Sequence, residues 1–543
     1  MNNSSNFSGL EAGILTNAAR GVRAGARDRT ILPVRHLTRM KLPGLLILSC
    51  LLAGGCATQQ RGAPAAAPAR ADAAAALREA QTLVGHSQWP QADALLRATL
   101  ARADFARLEP AQQHTLVSLA ALAALQNRDA RRALLLSHRA CGFDASDARD
   151  WFTRMRAADS APDPKDAVYA LTTLAQRWPQ VLARLPEYDS IERVMRNDLE
   201  AGASDVERYE LLAALHKIKF LDEPRSGGEW WREFALLQLA RGERLSAGQT
   251  LARITDPYVI ISIEADLRFD AIRGEPDALV SVADAAQQSI QAELRHVQAT
   301  PERLEPMNHL AEILISCTRL QQALSVTDAA IEHQDEHGSG AWSDYDTQYG
   351  RILNNRADAL FSLGRYAAAV AQLEAASHLY PEGAANVDAT IDLAQMYNQL
   401  GQTQQAAATL QRVSLADVSP YGRMQLEIET LRVALALHDE GAATRALDYL
   451  RSHRRDAIST YQKALLAARR DDDGATLLIA RLREPQLRSA ALLAVQMYAE
   501  DAEPAAALDE HARWRALVNR GDVQHEIAGV GRVAQYPLLI PDY

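Results

Sequence analysis

Between Leu353 and Val413 the chain runs twice through one short plan. Leu353, Ala357 and Leu360 are followed by Gly364-Arg365-Tyr366, then by Ala369, Leu373, Ala376 and Pro381. Leu393, Ala394 and Tyr397 are followed by Gly401, then by Ala406, Leu410 and Val413. Apolar or small side chains every third or fourth residue line one face of a helix. Each glycine falls where a helix ends and a left-handed residue costs least. The alanines fall where two helices must come close. The plan is therefore a pair of packed helices, and it predicts an all-α chain. Composition agrees: 48% of the 543 residues are hydrophobic but only 6% are aromatic, which favours close helix packing over sheets or barrels.

The order of bulky, small and aromatic residues, then small and bulky residues and a proline, resembles the tetratricopeptide repeat, a helix-turn-helix unit of about 34 residues. The resemblance implies an α-solenoid of such repeats. It is clearest over 305–415 and weaker over 75–500. Ala80 and Leu83, a turn at Ser87-Gln88-Trp89, then Ala92, Leu96 and Thr99 form a degenerate pair, and Ala121 to Ala140 around Asn127-Arg128-Asp129 form another. Pro162, Pro164, Pro179 and Pro186 punctuate an irregular stretch, so 75–225 is expected to hold degenerate hairpins and 226–510 the solenoid proper. Trp231 takes a bulky core place before the turn at Gly242, with Ala247 and Leu251 beyond it, and Trp230 is the better surface candidate. Leu251-Ala-Arg-Ile-Thr-Asp-Pro257 and Ile479-Ala-Arg-Leu-Arg-Glu-Pro485 match nearly throughout by residue class, which is internal repetition beyond periodicity. Residues 511–543 leave the pattern and are expected to form a capping helix and tail.

The N-terminal end carries an address. Residues 1–39 are arginine-rich without a core pattern and read as an extension. From Met40, Lys41 and the short apolar run to Ala53 make a segment with the size of a signal-peptide core, too short to span a bilayer. The run ends in Leu52-Ala53-Gly54-Gly55-Cys56, which resembles a bacterial lipobox, with Ala53 where that family has Leu. The resemblance implies cleavage of 40–55, lipid on Cys56 and, with Ala57 rather than Asp next, the periplasmic face of the outer membrane. Acyl chains on one cysteine anchor a protein firmly, at about 0.8 kcal/mol per buried CH₂. Residues 56–74 read as an Ala/Pro-rich disordered tether. The net charge of −10 is spread along the chain, which argues against nucleic acid. Cys141 and Cys317 are expected as small buried hydrophobes.

No phosphate loop, nucleophile elbow or dinucleotide glycine pattern occurs. One motif carries possible chemistry. His333-Gln-Asp-Glu336-His337 fits the inverted zinc-protease signature, in which two histidines four apart hold zinc and Glu336 is the base. The competing expectation is a solvated helix end. Asp471-Asp472-Asp473 is expected as a solvated cluster at a helix start, and Arg520-Gly521-Asp522 as a helix end.

In the family resembled, the first helices of successive hairpins line a groove that binds peptide. That places Glu305, Asn308 and Glu312, then Arg351, Asn354 and Asp358, then Asp388, Gln395 and Asn398 on a partner-binding face. The face is amide-rich and mildly acidic, suited to a basic or neutral segment. The expected function is a non-enzymatic scaffold on the periplasmic side of the outer membrane, with protein partners in envelope assembly, peptidoglycan synthesis or export. No cofactor, metal, nucleic acid or small-molecule substrate is expected. The alternatives are an envelope zinc hydrolase using His333, Glu336 and His337, and a solenoid that binds glycan directly.

Overall fold

The computed structural model describes residues 67–182, 188–199, 204–220, 228–273, 280–379, 386–500, 502 and 504–539. The signal segment, Cys56 and the first part of the tether lie outside them. Among the described residues the chain is all-α, and no helix is long and apolar enough to cross a membrane. It divides into two compact units, the first ending at Glu243 and the second starting at Arg244, rather than at the expected 225/226.

The first unit runs α1 (Ala67–Gly85), α2 (Trp89–Leu100), α3 (Pro110–Gln126), α4 (Ala130–Cys141), α5 (Ala148–Ser160), α6 (Pro164–Arg177), α7 (Pro179–Leu182), α8 (Tyr188–Arg193), α9 (Asp205–Lys217) and α10 (Gly228–Ala240). Helix α1 begins inside the stretch expected to be tether. Ala73 to Ala76 follow one another there, and alanine has the strongest helix propensity. Pro164 and Pro179 open helices, where a missing N–H costs nothing. The start signals are conventional. Asp147 and Asp150 form a reciprocal capping box before α5, and Ser204 and Glu207 form another before α9. Trp231 is 1% exposed, as its core place requires, but Trp230 is also buried, at 9%, and is no surface anchor.

The second unit runs α11 (Arg244–Leu251), α12 (Pro257–Ala265), α13 (Val282–Ala299), α14 (Glu305–Ser316), α15 (Leu320–His337), α16 (Tyr345–Ser362), α17 (Tyr366–Ser377), α18 (Val387–Gln399), α19 (Thr403–Leu410), α20 (Pro420–Ala436), α21 (Glu440–Ser452), α22 (Ile458–Ala467), α23 (Asp471–Arg483), α24 (Pro485–Ala494), α25 (Ala505–Val518) and α26 (Gly521–Val530). Consecutive helices pack as pairs, and α14 also lies along α16, α18 along α20 and α20 along α22. That side-by-side order of first helices is the solenoid.

One turn recurs in both units. Ser87, Arg128, Lys219, Gly242, Thr318, Gly364, Gly401, His438 and Arg469 all have φ between 56° and 78°. In every case the next residue donates its N–H to the carbonyl five residues back, as from Arg365 to Leu360 at 2.8 Å and from Asp439 to Ala434 at 2.9 Å. This double-bonded helix end satisfies carbonyls that would otherwise be orphaned, and between helices of one unit it sends the chain back antiparallel. Five residues past the left-handed residue stands a small one: Ala92, Ala133, Ala323, Ala369 and Ala406, each 0% exposed, then Ala443 and, in the last pair, Gly474. A Cβ at that last place would sit 2.9 Å from Leu517 Cδ1, so the Leu517 side chain would have to shift to admit one.

The second unit closes on itself. The two matched stretches found in the sequence immediately precede α12 and α24, with Asp256 and Glu484 as caps and Pro257 and Pro485 as first helical residues, and these two helices pack together. Residues 531–539 fasten the junction. Arg532 donates its N–H to Ala265 at 2.8 Å, Tyr258 Oη donates to Leu539 at 2.9 Å, and Leu539 donates its N–H to Ser316 at 2.9 Å. Tyr536 Oη reaches Glu264 at 3.0 Å, and Met497 and Ala499 pair with the tail backbone. Gly531 is pressed so tightly that a Cβ would lie 2.4 Å from Leu492 and 2.7 Å from the Ala265 carbonyl. The tail is thus more than the expected cap on the last hairpin: it also binds the first helices of its unit.

The turn geometry sets opposite signs for two substitutions. His438 is an exposed non-glycine residue at φ 60°, whereas Gly401 sits at φ 70° with open space around a Cβ. His438→Gly should stabilise by about 1 kcal/mol and Gly401→Ala should destabilise by about 1 kcal/mol, measured by urea denaturation.

Candidate functional site

The first helices of the second unit are stitched together by polar side chains. Asp344, just before α16, accepts the backbone N–H of Leu304 and Glu305 at 2.8 and 3.0 Å, so it binds the start of α14. Asn308 Nδ2 donates to the Gln348 carbonyl at 3.0 Å and to Gln348 Oε1 at 3.2 Å. Asn355 Nδ2 donates in turn to Asn308 Oδ1 at 3.0 Å. Arg351 meets Glu312 at 3.1 Å. Asn354 Nδ2 donates to Asp392 at 3.0 Å, which joins α16 to α18. Asn398 Nδ2 donates to Glu429 Oε2 at 2.8 Å, which joins α18 to α20.

The chain continues beyond α20. Arg432 lies 2.6 Å from Glu429 and 2.7 Å from Glu510 of α25. Burial works against the charge on Arg432, but Glu429 and Glu510 outweigh it and hold the guanidinium more firmly protonated than an ordinary arginine. Helix α25 crosses this region, packing on α18, α22 and α23. The face expected to be open for a partner is therefore partly covered by the chain itself.

This geometry redistributes the expected groove residues. Asn308 is 0% exposed and satisfied on all sides, so it holds helices together and cannot meet a partner. Asn354 and Asn398 are half-buried and spent on the neighbouring helix. Glu305 pairs with Arg303, and Glu312 with Arg351. Asp358 and Asp388 are exposed and Gln395 is half-buried. The sequence reading missed Asp344, Gln348, Asn355, Asp392, Glu429 and Arg432. An amide on an apolar stripe was the available signal, because Asn355 stands between Leu353 and Ala357 and a buried amide needs a partner.

The histidine motif is a helix end with Asp335, Glu336 and His337 exposed, as expected of a solvated terminus, but His333 departs from that expectation. Helix α15 runs through it to His337, and His333 is 8% exposed. Its ring packs edge-on to Trp342 at 4.7 Å and lies 4.2 Å from the His337 ring, while His337 Nδ1 bonds the His333 carbonyl at 3.0 Å. Burial, then the neighbouring His337, depress the His333 pKa against the opposing pull of Glu336. His333 thus turns inward from the solvated helix end and packs under Trp342. Among the described residues no three potential ligands converge, there or elsewhere, in a geometry that could hold a metal ion.

The remaining polar motifs also have structural partners. Asp471, Asp472 and Asp473 open α23 and pair with Arg513, Arg520 and Arg470. Arg520 and Asp522 pair at the start of α26, so that tripeptide begins a helix rather than ending one. Cys141 and Cys317 are free and half-buried; burial raises both thiol pKa values, that of Cys141 to about 12.

Residues 356–425, from the middle of α16 into α20, match the tetratricopeptide repeat. No curated protein matches the chain. Among solved structures it is similar to the Cut9–Hcn1 hetero-tetramer of APC/C, at 15% identity and a TM-score of 0.28, over 83% of this chain and 89% of that one. It is similar to a Rap protein complexed with competence and sporulation factor, at 14% identity and a TM-score of 0.32, over 77% and 99%. It is also similar to yeast Tom70, at 10% identity and a TM-score of 0.28, over 85% and 100%. At these TM-scores the chain does not superpose as a whole on any of the three.

The two kinds of polar residue on this face should separate in stability measurements. Asn308→Ala strands buried partners and should cost about 1–3 kcal/mol. Asp388→Ala, at an exposed position, should stay within about 0.5 kcal/mol of the parent in the same denaturation assay.

Proposed function

From the premise that residues 356–425 are tetratricopeptide repeat within an all-α solenoid, we propose that this protein is a non-enzymatic scaffold that docks protein partners. The observation that carries the reading is the row of first helices. Their backbones are locked to one another by buried amide and carboxylate bonds, while Asp388 on α18 projects as an exposed carboxylate. A face whose framework is already fixed loses little entropy when a segment lies along it. That carboxylate favours a basic or neutral segment at this end of the face.

The setting we propose is the periplasmic side of the outer membrane, reached through lipid on Cys56. The support is the sequence alone: a short apolar run closing in Leu52-Ala53-Gly54-Gly55-Cys56, with Ala57 after it. Anchored there, the scaffold would hold components of envelope assembly, peptidoglycan synthesis or export machinery.

Two measurements test this reading. Cys56→Ala should move the protein from the membrane pellet to the soluble fraction, and unchanged fractionation refutes the anchor. A photo-crosslinking residue at Asp388 should capture a defined partner in intact cells, one not captured from the exposed position Leu135 in the first unit. Equal capture from both positions refutes the docking face.

A further inference from the structure

Helix α25 is an unusual resident of the solenoid. It is not the second half of a hairpin; it packs on α18 and, beyond the next pair, on both α22 and α23. Its two ends are fixed differently from its middle. Upstream, Met497 and Ala499 pair with the tail, and Ala502 donates its N–H to Ser362 at 3.3 Å. Downstream, Leu517 and Val518 are buried, with Leu517 in the space that Gly474 leaves. Between these anchors the helix is mostly exposed or half-buried, and Leu508 is 49% exposed.

Trp514 packs against the apolar cluster around Leu478 and Leu517, and the rest of the middle is held by charge. Glu510 pairs with Arg432 at 2.7 Å, Asp509 with Arg469 at 3.4 Å, and Arg513 with Asp471 at 2.8 Å. The Asp509 pair is highly exposed on both sides, so it contributes little and weakens with salt. Arg432 is different, because it already has Glu429 beside it and terminates the polar chain that runs from Asn398. The face under α25 thus presents arginines at Arg432 and Arg469 that receive two adjacent carboxylates on one helix. With Asp471 facing Arg513, it is a receptor for a helix that carries an acidic pair and a basic residue one turn later, filled in the resting chain by a segment tied at both ends.

We propose that α25 is an internal stand-in for the partner, and that the partner docks here with an amphipathic helix bearing an adjacent acidic pair that replaces Asp509 and Glu510. This rests on the scaffold reading above and adds the chemistry of what is bound. The docked helix and the seated strap compete for the same arginines, so apparent affinity scales with the fraction of chains in which the strap is lifted. High salt loosens the strap and the docked helix alike.

The test uses the purified full chain and a fluorescent synthetic peptide of residues 500–518. Glu510→Arg should raise amide exchange across 507–516 and leave exchange in α16 and α18 unchanged. It should also bind the peptide at least about tenfold tighter than the parent, whose own strap competes. Arg432→Glu combined with Glu510→Arg restores the pair with reversed charge; it should recover the protection and lose the peptide. Parental exchange in Glu510→Arg overturns the proposal, as does equal peptide binding by all three chains. If Glu510→Arg dimerises by light scattering, the occupant is a second copy and the partner helix is refuted. None of these outcomes depends on cellular crosslinking, so failure of the docking-scaffold reading in cells and failure of the strap are separately visible.

Discussion

Everything in this protein depends on how closely one helix can approach the next. That distance is set by a small residue placed five positions after a left-handed turn. With Ala92, Ala133, Ala323, Ala369 and Ala406 fully buried, each returning helix settles into its partner with almost no side chain between them. Apolar burial contributes roughly 25 cal/mol per Å², but only if the surfaces meet without voids. The turn fixes the direction and the small residue fixes the distance; Leu353, Leu360 and Leu373 then fill the remaining space.

The polar residues on the first helices do a second job. An array of similar hairpins could slide or misregister, because one apolar stripe resembles another. Asn308 held between Gln348 and Asn355, and Asn398 on Glu429, make a shifted register costly, since a displaced amide would be buried without partners. This is specificity gained through penalties on wrong arrangements, the logic by which buried polar groups fix register in coiled coils. It also explains why several groove residues do not serve a ligand.

Much of the fold was legible because its signals are local. Gly364 and Gly401 announce their turns, and the alanine periodicity announces the pairs. Thr318, His438 and Arg469 adopt the same left-handed turn without glycine, so their turns could not be read from residue type and rest on the packing around them. The start of α1 was hidden by prolines and alanines that read equally well as a tether. The groove assignment erred most at Asn308, where a three-residue spacing cannot distinguish a side chain facing solvent from one facing the neighbouring helix. His333 looked solvated because its sequence neighbours are acidic, while its cover, Trp342, arrives from the following loop. The tail was least legible: Tyr536 and Glu264 meet across 272 residues of chain, and no periodicity reports such a contact.

That contact has a consequence for how such a protein can change. An open stack of hairpins lengthens by duplicating a unit, since each member touches only its neighbours. Here α12 rests on α24 and Gly531 is clamped between Leu492 and Ala265, so an extra hairpin would pry the seam apart. The number of hairpins is locked as the number of blades is in a propeller. Novelty must then enter sideways, through loops such as the one bearing Trp342, or outward from the half of the chain that ends at Glu243.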